Sequence, residues 1–331
     1  MSAGDREGRS RFLVCPDSFK GTFSAVEVAA AIGTGIEEAG GTVDRCPAAD
    51  GGEGTAETVR EAIGGEVRTA TVHDPLGREI EASFALVEGG ATAVVDTAAA
   101  SGLPLVAPGE RDAEAASTYG TGELIAAVHE AGAERVLLAA GGSATTDGGR
   151  GAIEALCARG ALPLRDLVVL CDVTTRFEDA ARVFGPQKGA DADQVERLSR
   201  RLRQIAEELP RDPRGLPMTG AAGGLSGALW AFGADLRPGA EFVLELLGFT
   251  ERLAAADVVV TGEGRIDSTS LEGKIVGQIA EACVAASKPL HVIVGQDMLS
   301  PAAAAAAGIA SIAEDGTLPS LREAGRRLVA R

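Results

Sequence analysis

Only four of the chain's 31 basic residues are lysines: Lys20, Lys188, Lys274 and Lys288. Lys20 and Lys188 each precede a glycine and Lys274 follows one. A compact ammonium beside yielding backbone suits contact with a phosphate or a carboxylate. The densest chemistry lies in the stretch RVLLAAGGSATTDGGRG, from Arg135 to Gly151. Its apolar run ends at Gly141-Gly142 and is followed by Ser143, Thr145 and Thr146, then Asp147, then Gly148, Gly149 and Gly151. Glycines let backbone N–H groups approach an oxyanion, and a following helix start adds unpaired donors. Hydroxyls supply further donors, and an acid in such a loop can hold Mg²⁺. An ordinary strand-to-helix turn needs one glycine and one cap, so this density points to an anion-binding loop.

Carboxylates recur in similar settings. Asp50 and Glu53 flank Gly51-Gly52, where they could cap a helix, bind a metal or meet a substrate hydroxyl. Asp172 ends the apolar run LVVLC, and Asp267 closes TGEGRID, which also carries Gly262 and Glu263 and runs on to Lys274. Asp17 and Ser18 precede Lys20 in a loop after the strand-like FLVC. The chain has three histidines, none of them in a glycine-rich loop, so a carboxylate is the expected base and a Ser-His-Asp or His-metal mechanism is disfavoured. The loop FGPQKG should expose Lys188, and the small-residue run GAAGGLSGA permits close backbone approach.

The elements that must position these residues alternate. Strands near 12, 43, 136, 258, 291 and 310 are each followed by helix-like segments, which predicts a mostly parallel sheet with ligand loops at the strand ends. Ser24 and Glu27 form a capping box before the helix AVEVAAAIGTGIEEAG. From Glu66 to about Val106, β-branched runs separated by DPLG and EGG predict an antiparallel meander. These signals predict an α/β protein of two domains: a Rossmann-like, mostly parallel domain and an inserted mixed α/β domain, with a cleft between. The expected division is a disordered lead over 1–11, a Rossmann-like domain of 12–65 with 117–158 and 256–331, and a second domain of 66–116 with 159–255.

Composition excludes several classes. With 331 residues, 45% of them hydrophobic, the chain can bury a sizeable core, yet no apolar run approaches twenty residues. The first eleven residues are polar and lack the apolar stretch of a signal peptide. Five scattered cysteines without a CxxC pair fit mostly buried thiols in a cytoplasmic protein. A net charge of −17 argues against nucleic acid or anionic membrane as partner. It leaves room for a small anion in a locally positive pocket. The segment before Lys274 is not a Walker A loop, since Ile275 stands where its Ser or Thr belongs. GEGRID is not a dinucleotide fingerprint, since Asp267 occupies the third glycine's place.

In order and spacing, PDSFKGTFSA, ADGGEGT, GGSATTDGGRG, CDV with VFGPQKGAD, GAAGGLSGAL and TGEGRID with GK resemble the bacterial type I glycerate kinase family over about 12–295. The resemblance implies two α/β domains, a monomer or homodimer, and ATP- and Mg²⁺-dependent phosphorylation of D-glycerate to 2-phospho-D-glycerate. Gly141, Gly142, Ser143 and Thr145 would then contact ATP phosphates, with Asp17, Ser18, Gly51, Gly52, Gly262, Glu263 and Lys274 also lining substrate or phosphate. Lys20 and Lys188 would neutralise the acid's carboxylate and the moving phosphoryl group. Asp172 or Asp267 would orient the acceptor hydroxyl, and Asp50, Glu53 or Asp147 would approach Mg²⁺. The family's usual Asn-Pro-Leu after CDV is Thr174-Thr175-Arg176 here, and its I-D-G-Q-T is Ile266-Asp267-Ser268-Thr269-Ser270. These departures leave two other readings: a kinase of another short hydroxy acid, and a non-catalytic sugar-acid sensor. A nicotinamide oxidoreductase is disfavoured because no GxGxxG follows any strand.

Overall fold

The structure is a computed structural model and describes residues 9–330, Lys20 and Arg165 excepted. The first part of the chain supplies β1 (Arg11–Val14), β2 (Thr42–Arg45), β3 (Glu66–His73), β4 (Glu79–Val87), β5 (Thr92–Asp96) and β6 (Arg135–Ala139). There follow β7 (Leu167–Cys171), β8 (Asp235–Pro238), β9 (Val258–Ile266), β10 (Leu290–Asp297) and β11 (Ile309–Glu314). Two sheets result, in two compact units.

The first unit comprises the chain up to Asp50 and from Ala240 onward. Its five strands run in the order β11-β10-β9-β1-β2, with every neighbouring pair parallel. The helix Ala25–Glu38 opens on the expected box: Ser24 Oγ accepts from the Glu27 N–H, and the Glu27 carboxylate accepts from the Ser24 N–H. Its Val28, Ala29, Ile32 and Ile36 recur at helical spacing and pack with Phe12, Val14 and Leu321. Each such large apolar side chain contributes about 1.5–3 kcal/mol on burial.

The second unit, 51–239, carries the order β3-β4-β5-β6-β7-β8. Its first two pairings are antiparallel, as the meander signals require, and the rest are parallel. All five residues of β7 are buried, which suits a strand covered on both faces. The helix Ala192–Glu208 presents Leu198, Leu202 and Ile205 to a smaller core around Phe177. A Cβ placed on Gly51 would stand 2.8 Å from the Gly239 Cα, so the two ends of this inserted unit meet.

Two expectations are corrected. Residues 117–158 do not join the first unit. β6 lies between β5 and β7, paired with both in parallel register, and β1 has β9 as its neighbour instead. A buried Val/Leu run specifies a strand covered on both faces without naming its neighbours, and chain connectivity through β5 decides the matter. The boundaries near 65, 116, 159 and 255 accordingly give way to a single insertion point near 50 and 240. At the N-terminus, residues 1–8 of the expected lead lie outside the described residues, and Arg11 already belongs to β1.

Candidate active site

In the second unit, loops after β5, β6 and β7 and the turn around Lys188 enclose a cavity of about 390 Å³. Its lining includes Glu53, Arg111, Gly141, Gly142, Ser143, Asp172 and Lys188. The close approach of two glycine loops builds its floor: a Cβ on Gly141 would stand 2.5 Å from the Gly52 Cα. Gly142 follows with φ +68°, a conformation that glycine adopts without strain, and brings the Glu53 carboxylate alongside.

Lys188 is not on the surface as expected. It is 3% exposed, and its Nζ donates to Ser143 Oγ at 3.0 Å and to the Thr145 carbonyl at 2.5 Å. The 3₁₀ turn Pro186–Lys188, ending on Gly189 at φ +94°, folds the side chain inward. Burial pushes its ammonium down to about 7, with the Asp147 carboxylate opposing. The Phe184 ring lies 5.9 Å from the nitrogen. A lysine poised between its two charge states, joined to a glycine–serine loop, is suited to meet an incoming anion.

Asp147 serves the loop instead of facing the cavity. Its Oδ2 accepts from the Thr118 N–H and hydroxyl and from the Gly151 N–H, and its Oδ1 from the Gly149 N–H. Four donors consume a carboxylate that was expected to approach Mg²⁺, and they secure the start of the helix Arg150–Ala158. Thr145 contributes its carbonyl, while its buried hydroxyl has no hydrogen-bond partner among the described residues. Gly51 and Gly52 are buried beneath the loop.

Sequence reading passed over two residues here. Asp96, at the end of β5, accepts from the Gly54 and Ala56 N–H groups and so fixes the Gly51–Thr55 turn. Burial raises its carboxyl to about 6 against the pull of those bonds. Arg111 belongs to the acidic loop APGERDAE, which reads as solvated surface, yet it lines the cavity.

The first unit has its own cavity, of about 530 Å³. Asp17, Ser18, Asp50, Glu263, Asp267 and Lys274 line it together, at the C-terminal ends of parallel strands. Gly262 is a strand residue of β9. Its carbonyl accepts from the Asp17 N–H, and a Cβ there would lie 2.1 Å from the Ile293 carbonyl oxygen on β10. Asp267 receives the Thr269 hydroxyl and N–H on Oδ1, which hold its carboxyl below the ordinary range. That makes it a turn-former and a weak base. Lys20, placed among the catalytic candidates, lies outside the described residues.

Among the described residues no three of the His, Cys, Asp and Glu side chains gather as a metal set, so Asp50, Glu53 and Asp147 are not a preformed trio. Mg²⁺ carried on a nucleotide takes one or two carboxylates, with phosphate oxygens and water completing the shell. Of the three candidates, Glu53 lines the lysine-bearing cavity. Of the two hydroxyl-orienting candidates, Asp172 does.

The model of the "Glycerate kinase family" matches residues 12–162 and 158–324. The "Glycerate 2-kinase" of Escherichia coli K12 is 39% identical over 323 residues, covering 86% of this chain and 85% of its own. The "Glycerate kinase" of Bacillus subtilis 168 is 38% identical over 326 residues, with 86% and 85% covered. A crystal structure of a Salmonella typhimurium LT2 protein assigned as glycerate kinase 2 superimposes with a TM-score of 0.84, at 34% identity and 98% coverage of both chains. By sequence and by fold, the chain belongs to the glycerate kinase family.

Proposed function

We propose that this chain transfers the terminal phosphoryl group of ATP to the 2-hydroxyl of D-glycerate, and that the cavity of the second unit receives the acid and the phosphoryl group in flight. The observation that carries this reading is the joining of Lys188 to Ser143 within one cavity that also holds Glu53 and Asp172, in a chain 39% identical to a glycerate 2-kinase. Phosphoryl transfer asks the protein for alignment, charge neutralisation and a place for the hydroxyl proton. Gly141 and Gly142 offer backbone N–H groups, and Ser143 and Lys188 add side-chain donors aimed at the same space. Asp172 orients the acceptor hydroxyl and accepts its proton. Glu53 is the carboxylate suited to Mg²⁺, which when bound neutralises charge on the phosphate oxygens. Asp17, Asp50, Glu263 and Lys274 form a second polar cavity of mixed charge that suits a Mg²⁺-bearing polyphosphate. Lys20 keeps its expected part in neutralising charge on the reactants.

The test is an ADP-release assay with ATP, Mg²⁺ and a panel of short hydroxy acids, with phosphorus NMR of the product. D-glycerate should give 2-phospho-D-glycerate. Turnover of another acid in preference to glycerate would assign a different kinase, and ADP release with none of them would favour a sensor.

A further inference from the structure

Within the cavity of the second unit, one cation has no partner among the described residues. Arg111 Nε is buried and makes no hydrogen bond, and no described carboxylate pairs with its guanidinium. In a chain with 48 acidic residues against 31 basic ones this is anomalous, and the acids nearest to it in sequence are all engaged elsewhere. Glu110 accepts from Arg78. Asp112 accepts from the Glu114 and Ala115 N–H groups. Glu114 takes both arms of Arg197. The backbone of Arg111 abuts the turn that carries Lys188, since a Cβ on Gly189 would lie 3.1 Å from the Arg111 Cβ. The two cations therefore enter one small space from adjoining turns, and Glu53 and Asp172 enter it as well.

Such a mixture does not suit a phosphate alone, which the two carboxylates would repel. It suits a molecule that is anionic at one end and hydroxylated at the other. A guanidinium forks onto a carboxylate through two parallel N–H donors. Carboxylates accept from hydroxyls.

Building on the functional reading above, we propose that Arg111 binds the carboxylate of the acceptor and sets the preference for a 2-hydroxy acid over a neutral polyol. Lys188 then remains with Ser143 for the phosphoryl group. A charged hydrogen-bonded contact of this kind corresponds to roughly 10- to 150-fold in affinity.

The experiment is steady-state kinetics of wild type, Arg111→Gln and Arg111→Lys, varying D-glycerate and ATP separately, with melting temperatures for all three. Turnover of D-glycerate by the wild type is measured first, and its absence sinks the functional reading together with this proposal. Given that turnover, Arg111→Gln should raise KM for D-glycerate on the order of 100-fold while KM for ATP stays within about twofold. Arg111→Lys should recover part of the loss, because the charge is kept and the fork is not. A rise in KM for ATP with KM for D-glycerate unmoved would assign the guanidinium to a nucleotide phosphate and overturn the proposal. It is equally overturned if neither constant moves, or if both move together with a lowered melting temperature.

Discussion

Lys188 is the residue whose environment speaks most directly about pH. In the free protein its ammonium loses a proton near 7, well below the ~10.4 of an unperturbed lysine. Between those values the unfolded chain holds a proton that the folded chain does not, so this group makes the unliganded protein more stable as pH rises. Anion binding has the opposite sign, since it needs the ammonium and must take up a proton above about 7. The ratio kcat/KM for glycerate, which reports the free enzyme, should therefore fall by up to about tenfold per pH unit above 7. That limb should vanish in Lys188→Met. A profile flat from pH 6 to 9 would remove Lys188 from anion binding. Asp147 makes the contrasting case. If its carboxylate organises the loop through four accepted hydrogen bonds, Asp147→Asn should cost about 1–3 kcal/mol in urea unfolding. The Mg²⁺ concentration for half-maximal activity should stay where it is. A large increase in that requirement would return Asp147 to the metal.

Elements show where sequence suffices and where it stops. The capping box at Ser24 and Glu27, the meander of β3, β4 and β5, and the buried strand β7 are all set by local chemistry, and each is legible in a few residues. The place of β6 is not, because its burial pattern would fit either sheet. At the site, the scarcity of lysine marked Lys188, and glycine density marked the loop at Gly141. Arg111 had no such mark, being one arginine among many, and only the folding of its loop against Gly189 brings it inward. Asp96 was hidden for the same reason: a strand-end aspartate looks alike whether it faces solvent or the N–H groups of another turn. Gly262 was legible as a glycine and was placed among the residues lining substrate or phosphate. Its role is close strand packing, so Gly262→Ala should break the β9–β10 pairing at Ile293. A backbone contact of 2.1 Å cannot be relieved by a rotamer change. The loss should exceed the 1–3 kcal/mol typical of overpacking. Gly54→Ala, with open space around the Cβ but φ +88°, should cost only about 1 kcal/mol by chemical denaturation.

On the scale of the whole molecule, residues 51–239 form one continuous insertion with its own six-stranded sheet and its own cores, and its ends meet at Gly51 and Gly239. A segment whose termini touch can be excised without leaving its ends to search for each other, which is why such insertions tend to fold alone. Arg111 and Asp172, proposed to meet the acid's carboxylate and its hydroxyl, lie within it, in the cavity they share with Lys188, Ser143 and Glu53. The excised 51–239 segment should therefore unfold in a single cooperative transition. D-glycerate should raise its midpoint, by an amount set by RT ln(1 + [L]/Kd), and glycerol at the same concentration should leave it unmoved. Calorimetry at several glycerate concentrations checks both points. A segment that folds cooperatively yet ignores glycerate would mean that the acid is not held by these residues alone. Recognition would then need groups from the other unit, such as Asp17, Asp50 or Lys274.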